Sequence, residues 1–189
     1  MNIKKEVFLQ GDLVYLTPLI EKDIDGNYRF WLNDSEIVKY NTHGRFPQTP
    51  EKLKDYVKSI SNSNTSLVLA VREKTNDIHI GNISLQAINW IDRSAEIAFL
   101  LGEKSFWGKG IMFDAGKILI EHAFSTLNLH RIHCGTSSEN IGMQKLAIKL
   151  GMKEEGRRKE AIYKQGKYFD IFEYGLINPN EILQKMSTD

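Results

Sequence analysis

Short runs of alternating apolar and polar residues recur along the chain and predict a β-rich domain, because successive side chains on a strand point to opposite faces. The first run, at 13–17, ends at Pro18, and turn residues such as Asn76, Asp77 and Asp92 separate some of the runs that follow. Seven strands are predicted, at 13–17, 67–72, 78–88, 95–101 and 130–136 and on either side of the hairpin turn Gln165-Gly166.

Helical patterns fill the spaces between these strands. Two helices are predicted between the first two strands, and the second begins at Thr49-Pro50, an N-cap followed by proline at the first helical position. Two more helices are predicted at 113–127 and 141–150, the last of them ending at Gly151. This order of elements predicts an α/β (α+β) fold, in which a sheet is flanked by helices.

The chain of 189 residues is expected to form a single domain over 1–189, with loosely ordered ends at about 1–6 and 179–189. Its 25 basic and 24 acidic residues give a net charge of +1, which argues against nucleic acid as a partner. The basic run Arg157-Arg158-Lys159 follows two glutamates and is interpreted as a solvated turn.

Membrane association is not expected, because no apolar run approaches the roughly 20 residues that a membrane helix needs. The single cysteine, Cys134, excludes an internal disulfide and fits a cytoplasmic protein. Since it falls in a predicted strand, we interpret it as a buried structural thiol rather than a nucleophile.

The segment Trp107-Gly108-Lys109-Gly110-Ile111-Met112 joins a predicted strand to a predicted helix. At such a junction the first N–H groups of the helix lack internal partners, and the helix dipole adds positive charge. Gly108 and Gly110 let the backbone come close to a phosphate, and Lys109 adds a cation. The segment therefore predicts a pyrophosphate site.

Two nucleotide-binding motifs fail at this segment. A P-loop needs Ser or Thr after its lysine, but Gly110 follows Lys109, and a dinucleotide fingerprint needs further spaced glycine where Met112 and Phe113 stand. The segment instead resembles the acetyl-CoA loop of the GNAT acetyltransferases, Gln/Arg-x-x-Gly-x-Gly/Ala. Trp107 then takes the first place, Gly110 the obligatory glycine and Met112 the last small position.

Further matches extend this resemblance over nearly the whole chain, in the branch that contains ribosomal-protein alanine/serine acetyltransferases and spermidine acetyltransferase. They lie, in the family's order, at 80–83, 140, 149–152, 155–156, 166–170 and 174–176. The resemblance implies the GNAT fold: a mixed, mostly antiparallel sheet of about seven strands, whose fourth and fifth strands splay apart, flanked by about four helices.

The resemblance also implies acetyl-CoA as co-substrate. Its pantetheine arm would pair with the strand edge at Phe99, Leu100 and Leu101, and its pyrophosphate would lie on the glycine segment. The predicted cofactor-binding residues are Phe99, Leu100, Leu101, Trp107, Gly108, Lys109, Gly110, Ile111, Met112 and Asn140. The strand residues can equally be explained as a buried strand, and Asn140 as a helix N-cap.

Glu96 is the predicted catalytic base. It is the only acid within an apolar strand, three residues before the presumed pantetheine edge, where an isolated carboxylate is costly unless it is paired or functional. The alternative is a structural ion pair, for instance with Arg93. The general acid is left open, because Met143 and Ala147 stand where relatives carry serine or tyrosine.

Tyr163 and Tyr168, near the predicted hairpin, are the substitutes for that acid, and solvent is another. On the acceptor side, the loop between the first two helices lines the acceptor pocket in this fold. Its His43 and Arg45 are therefore candidate substrate-binding residues, with a solvated loop as the alternative, and Tyr163 and Tyr168 are also predicted to contact the substrate. No metal site is expected, because the five histidines are scattered and His133 faces away from His130.

The predicted function is that of an acetyl-CoA-dependent N-acetyltransferase that acts on a primary amine by direct attack in a ternary complex. The acceptor is either a small molecule, such as a nucleotide-linked amino sugar or a polyamine, or a protein N-terminus. A homodimer is compatible with the resemblance. The alternative, which the substitutions at Met112, Met143 and Ala147 favour, is a non-catalytic acyl-CoA-binding or regulatory module.

Overall fold

An eight-stranded sheet forms the centre of the computed structural model, which describes residues 6–179. The strands are β1 Leu9–Gln10, β2 Val14–Pro18, β3 Leu67–Glu73, β4 His79–Asn89, β5 Ser94–Leu101, β6 Arg131–Ser137, β7 Lys153–Lys164 and β8 Lys167–Ile177. They lie in the order β1-β2-β3-β4-β5-β6-β8-β7. All neighbours are antiparallel except β5 and β6, which are parallel.

Helices cover both faces of this sheet. They are α1 Tyr28–Trp31, α2 Pro50–Ser61, α3 Ile111–Ser125 and α4 Ile141–Lys149, with short 3-10 turns at Glu21–Asp25 and Lys104–Phe106. α3 and α4 bury residues such as Leu119 and Ala147 against one face, where Ile97 of β5 also lies. α1 and α2 pack on the other face, which carries Ala70 of β3 and the half-buried Leu100 of β5.

The predicted α/β GNAT fold is confirmed, with three differences in detail. The sheet has eight strands rather than about seven, because β1 pairs with β2 over only two residues and carries no alternation that a sequence pattern could detect. The first predicted helix is reduced to the four-residue α1 and the turn before it. The basic run at Arg157 lies within β7 rather than in a turn, and Arg157 pairs with Asp170 of β8.

The predicted splaying of two central strands is present between β5 and β6. The two strands are in register only at Ser94–Glu96, opposite Arg131, Ile132 and His133. Beyond that point Ile97–Leu101 keep their partners on β4 but have none on β6. We call the resulting gap, between residues 97–101 of β5 and 134–137 of β6, the strand cleft.

A buried carboxylate attaches α3 to the far edge of the sheet. Asp114, 6% exposed, accepts hydrogen bonds from the backbone N–H groups of Asp12, Leu13 and Val14, at 3.1, 2.7 and 3.1 Å. These groups belong to the turn between β1 and β2 and to the start of β2. The first turn of α3 is therefore held by a contact that spans about half the chain.

Within the described residues, no helix is long and apolar enough to cross a membrane. The predicted loose ends, 1–6 and 179–189, lie outside the described residues except for Glu6 and Pro179.

Candidate active site

The glycine segment forms an open turn directly before α3. Gly108 and Gly110 have φ of 73° and 78°, in the left-handed region that disfavours residues with a Cβ. A Cβ at either position would meet no atom within 4 Å, so the space beside the turn is open. Because α3 begins at Ile111, its first N–H groups lack intrahelical partners there, and the turn has the form of an anion site.

Trp107 ties this turn to the end of β5. Its indole N–H donates to the carbonyl oxygen of Leu101 at 3.0 Å. Lys109 is exposed, with its ammonium nitrogen 5.5 Å from the centre of the Phe106 ring. The Trp107 bond is not visible in the sequence, and it fixes the glycine turn at the mouth of the strand cleft.

Ile111 and Met112 turn their side chains into the core and are 5% and 8% exposed. Gly81 on β4 makes room for the Met112 side chain, because a Cβ at position 81 would lie 2.7 Å from Met112 Cε. This packing explains how methionine is accommodated at a position where relatives carry a small residue. What Ile111 and Met112 present to a ligand at the turn is their backbone N–H groups.

Phe99, Leu100 and Leu101 are half-buried on the edge of β5 that lines the strand cleft. Phe99 points toward α3, where its ring would lie 3.1 Å from a Cβ at Gly116, and Leu100 points toward the α1 and α2 side. The packing agrees with a half-buried strand, and pairing of these residues with a cofactor stays a prediction. The side chains pack on both faces of the sheet, and the backbone edge has no partner strand on β6, although the Leu101 carbonyl accepts the hydrogen bond from Trp107.

Glu96 lies at the closed end of the strand cleft, as the last residue of β5 in register with β6. Its neighbours Ala95 and Ile97 are buried against α3, so the half-buried Glu96 faces the α1 and α2 side of the sheet. Across residues 6–179 its carboxylate has no hydrogen bond or ion pair. Arg93, the alternative partner, donates to Asn128 at 2.7 and 2.9 Å.

Two groups near Glu96 are not singled out by the sequence. His133 is its register partner on β6, and Glu173 of β8 lies beside Gly135, 3.2 Å from where a Cβ would be. Arg158 donates to Glu173 at 2.5 Å and neutralises it. Only the pairing of β5, β6 and β8 brings these groups together, so no local motif could have predicted them.

Cys134 is 1% exposed, and its sulfur lies 3.7 Å from that of Met152. Burial raises the pKa of the thiol to about 12, with smaller contributions from the negative charges of Glu96 and Glu173. A thiol in this environment stays protonated at neutral pH and is a poor nucleophile.

The start of α4 offers a cap rather than a proton donor. Asn140 accepts a hydrogen bond from the Met143 N–H at 3.1 Å, so N-capping is observed, and its contact with a cofactor stays a prediction. Ala147 is fully buried and Met143 packs on the same core. Neither position presents a hydroxyl group.

The four predicted acceptor-side residues come together at two adjoining cavities between the 33–45 segment and the β7–β8 hairpin. His43, Arg45 and Tyr163 line one, of about 590 Å³, which we call the loop cavity. Tyr168 lines the other, of about 630 Å³, which we call the hairpin cavity and which reaches Ser137 at the end of β6. The rings of Tyr163 and Tyr168 lie 4.9 Å apart.

The chain belongs to the GNAT acetyltransferase family: residues 14–153 match the acetyltransferase (GNAT) domain. It is thus an N-acetyltransferase of a family whose acyl donor is acetyl-CoA, as the glycine segment predicted.

Individual relatives cover much of the chain. The probable N-acetyltransferase YjcK of Bacillus subtilis (strain 168) is 24% identical over 180 residues, which are 92% of this chain and 98% of that protein. Spermidine N(1)-acetyltransferase of Vibrio cholerae is 33% identical over 92 residues, 49% of this chain and 53% of that protein. The structure of RimL, a ribosomal L7/L12 alpha-N-protein acetyltransferase in complex with coenzyme A, has a TM-score of 0.82 at 20% identity, covering 91% of this chain and 98% of its own.

Proposed function

We propose that this protein transfers an acetyl group from acetyl-CoA to a primary amine, by direct attack of the amine within a ternary complex. One observation carries the proposal: the open edge of β5 runs from Glu96 to a glycine turn at the start of α3. A thioester arm paired with that edge would have its pyrophosphate at the helix N-terminus and its reactive end toward Glu96. The acceptor is a small-molecule amine or a protein N-terminus.

The chain's own residues have a limited chemical task. A thioester is already activated, so positioning of the two reactants contributes most of the acceleration. Glu96 accepts the proton of the attacking amine, directly or through water. The departing thiolate, whose conjugate thiol has a pKa of about 8.5, takes its proton from solvent.

Membership of the N-acetyltransferase family argues against the non-catalytic acyl-CoA-binding module that the sequence left open as an alternative, although Ala147 and Met143 supply no hydroxyl. Release of free thiol from acetyl-CoA separates the two, measured with a panel of amino-sugar nucleotides, polyamines and peptides. Turnover with any of these amines supports the enzyme. CoA binding without turnover across the panel would favour the module.

Replacing Gly110 by valine is expected to weaken CoA binding at least tenfold, or about 1.4 kcal/mol. A side chain there would occupy the open space beside the turn, and the φ of 78° strains any residue with a Cβ. Calorimetric titration with CoA well below the melting temperature measures the affinity. Gly110→Ala, with less strain, keeps the test usable if the valine variant folds poorly.

Gly166→Val is the matched control, because Gly166 also has a positive φ, of 80°, and open space where a Cβ would stand, but lies in the β7–β8 turn. It should lose stability to backbone strain and keep its CoA affinity. Unchanged CoA affinity in a folded Gly110→Val protein, or equal losses in both variants, would contradict the assignment of the glycine turn.

Cys134→Ala is expected to keep its turnover within about twofold while losing roughly 1 kcal/mol of stability from a small core cavity. The buried, protonated thiol cannot carry an acetyl group. Initial rates at varied concentrations of both substrates should give intersecting double-reciprocal lines. Parallel lines, or acetylated enzyme trapped without acceptor, would support a ping-pong route instead.

Compartment and assembly are secondary parts of the proposal. The lone, unpaired Cys134 is consistent with a cytoplasmic protein. A homodimer stays a prediction, which sedimentation equilibrium measures directly.

A further inference from the structure

The loop cavity has an unusual charge composition. Its lining includes His43, Arg45 and Lys164, which are cationic or can become so, and it includes no carboxylate. The remaining lining residues are neutral: Asn33, Ser35, Val38, Gly44, Tyr163 and Gln165. The cavity is therefore a positively charged space open to solvent, placed between the 33–45 segment and the tip of the hairpin.

Arg45 and Lys164 are held in place by backbone carbonyl groups. Arg45 Nη2 donates to the carbonyl oxygen of Tyr163 at 3.2 Å. The Lys164 ammonium donates to the carbonyl oxygens of Val38 and of Asn41, the latter at 2.5 Å. These bonds use one of the five guanidinium N–H groups and two of the three ammonium N–H groups, so both side chains retain donors.

Neither cation is neutralised by its surroundings. Within residues 6–179, no carboxylate lies within ion-pair distance of Arg45 or Lys164. Nearby arginines behave differently: Arg157 pairs with Asp170 and Arg158 with Glu173. Two cations without a carboxylate partner that line one concave space repel each other, and an anionic ligand would relieve that repulsion.

The electrostatics of the neighbouring groups agree with this geometry. Burial and the positive charge of Arg45 lower the pKa of Lys164, and burial and the positive charge of Lys164 lower the pKa of His43. The cations thus repel each other across the cavity. An anion between them would favour the charged form of both groups and so oppose both shifts.

The position of the cavity connects it to the proposed reaction. It shares Lys164 and Gln165 with the hairpin cavity, which extends to Ser137 at the open end of the strand cleft. The two cavities therefore adjoin, and the second of them borders the cleft whose closed end carries Glu96.

We propose that the loop cavity binds a carboxylate or phosphate group of the acceptor, so that the substrate is an anionic amine rather than a polyamine. This proposal rests on the acetyltransferase function proposed above and specifies its substrate class. A polyamine would bring several positive charges to a wall that already carries unpaired cations.

Matched pairs of amines test the proposal with acetyl-CoA and detection of released thiol. One pair is a free amino acid and its amide, the second is an amino-sugar phosphate and the parent amino sugar, and spermidine is the cationic comparison. We expect kcat/KM at least tenfold higher for the anionic member of one pair, which also identifies the group, and spermidine as the poorest acceptor. No preference in either pair, or spermidine as the best acceptor, would overturn the proposal.

Arg45→Gln assigns the effect to the cavity, because it removes the charge while keeping a polar side chain with N–H donors. It should raise KM for the anionic acceptor at least tenfold with little change in kcat, and should alter the neutral amine less than twofold. Lys159→Gln, an exposed change of the same charge on β7, is the control and should behave as the parent protein. Equal losses for both kinds of amine in Arg45→Gln would contradict the proposal.

A complete absence of turnover would defeat the acetyltransferase proposal and still leave the cavity testable. Inorganic phosphate is then titrated into protein saturated with CoA, which fills the glycine turn, while NMR follows the His43 ring. We expect a saturable shift and a higher pKa of His43 with phosphate, both lost in Arg45→Gln. An unresponsive His43 would rule out the cavity as an anion site.

Discussion

Glu96→Gln is expected to lower turnover by roughly 10²-fold or more while CoA affinity stays near the parent value. The amide cannot accept a proton from the attacking amine, and the acidic limb of the pH–rate profile should change with it. We expect this effect because the carboxylate is half-buried at the closed end of the strand cleft and has no ion-pair or hydrogen-bond partner within residues 6–179. Steady-state kinetics across the acidic and neutral pH range, with CoA titrations on the same preparation, measure both effects.

Stability measurements separate a catalytic from a structural role for Glu96. Removing an unpaired, partly desolvated charge should leave the melting temperature unchanged or higher. Glu155→Gln is the matched control, because this carboxylate is paired with Arg131, which lowers its pKa. That variant should keep its turnover and lose a little stability. A Glu96→Gln protein that retains its rate and melts earlier would identify a structural carboxylate, with water or the free amine supplying the base.

Asp114→Ala is expected to lower the free energy of unfolding by about 3 kcal/mol, because three backbone N–H groups lose their shared acceptor. For a chain of this size that corresponds to a fall of about 6–12 °C in melting temperature. Urea unfolding monitored by circular dichroism measures the change. Asp114→Asn, which keeps one oxygen acceptor, should lie between the parent and the alanine variant.

Glu121→Ala provides the comparison for that experiment, since Glu121 is an exposed acid on the same helix. It should change stability by no more than about 0.5 kcal/mol. If Asp114→Ala and Glu121→Ala unfolded at the same urea concentration, the contact between α3 and the start of β2 would contribute nothing measurable. Attachment of α3 would then rest on its apolar face alone.

The parts of the site that could be predicted from the sequence are those encoded locally. A strand, two glycines and a helix start lie within about twenty consecutive residues, and their backbone requirements leave few alternatives. The splaying of β5 and β6 was predicted from the family resemblance. By contrast, β1 has only two residues and is too short to show any periodicity. The first predicted helix is also not formed as one element, because the chain there makes a 3-10 turn followed by the short α1.

What the sequence could not predict depends on pairing across long separations. Asp114 meets the start of β2 about one hundred positions away, and Glu173 reaches the neighbourhood of Glu96 only through β6. The charge of Arg45 is uncompensated because the cavity lining includes no carboxylate, and this can be recognised only when the whole lining is known.

The strand cleft also bears on self-association. A β-strand edge with unsatisfied N–H and C=O groups invites pairing with foreign chains, which is a route to aggregation. In this fold the long unpaired edge, at 97–101 of β5, lies in the middle of the sheet, with β6 on its other side. The outer margins are blunted, one by the brevity of β1 and the other by the charges and irregular register of β7. The unpaired edge is thus an internal feature of the sheet, whereas the edges that another chain would meet first are the two blunted margins.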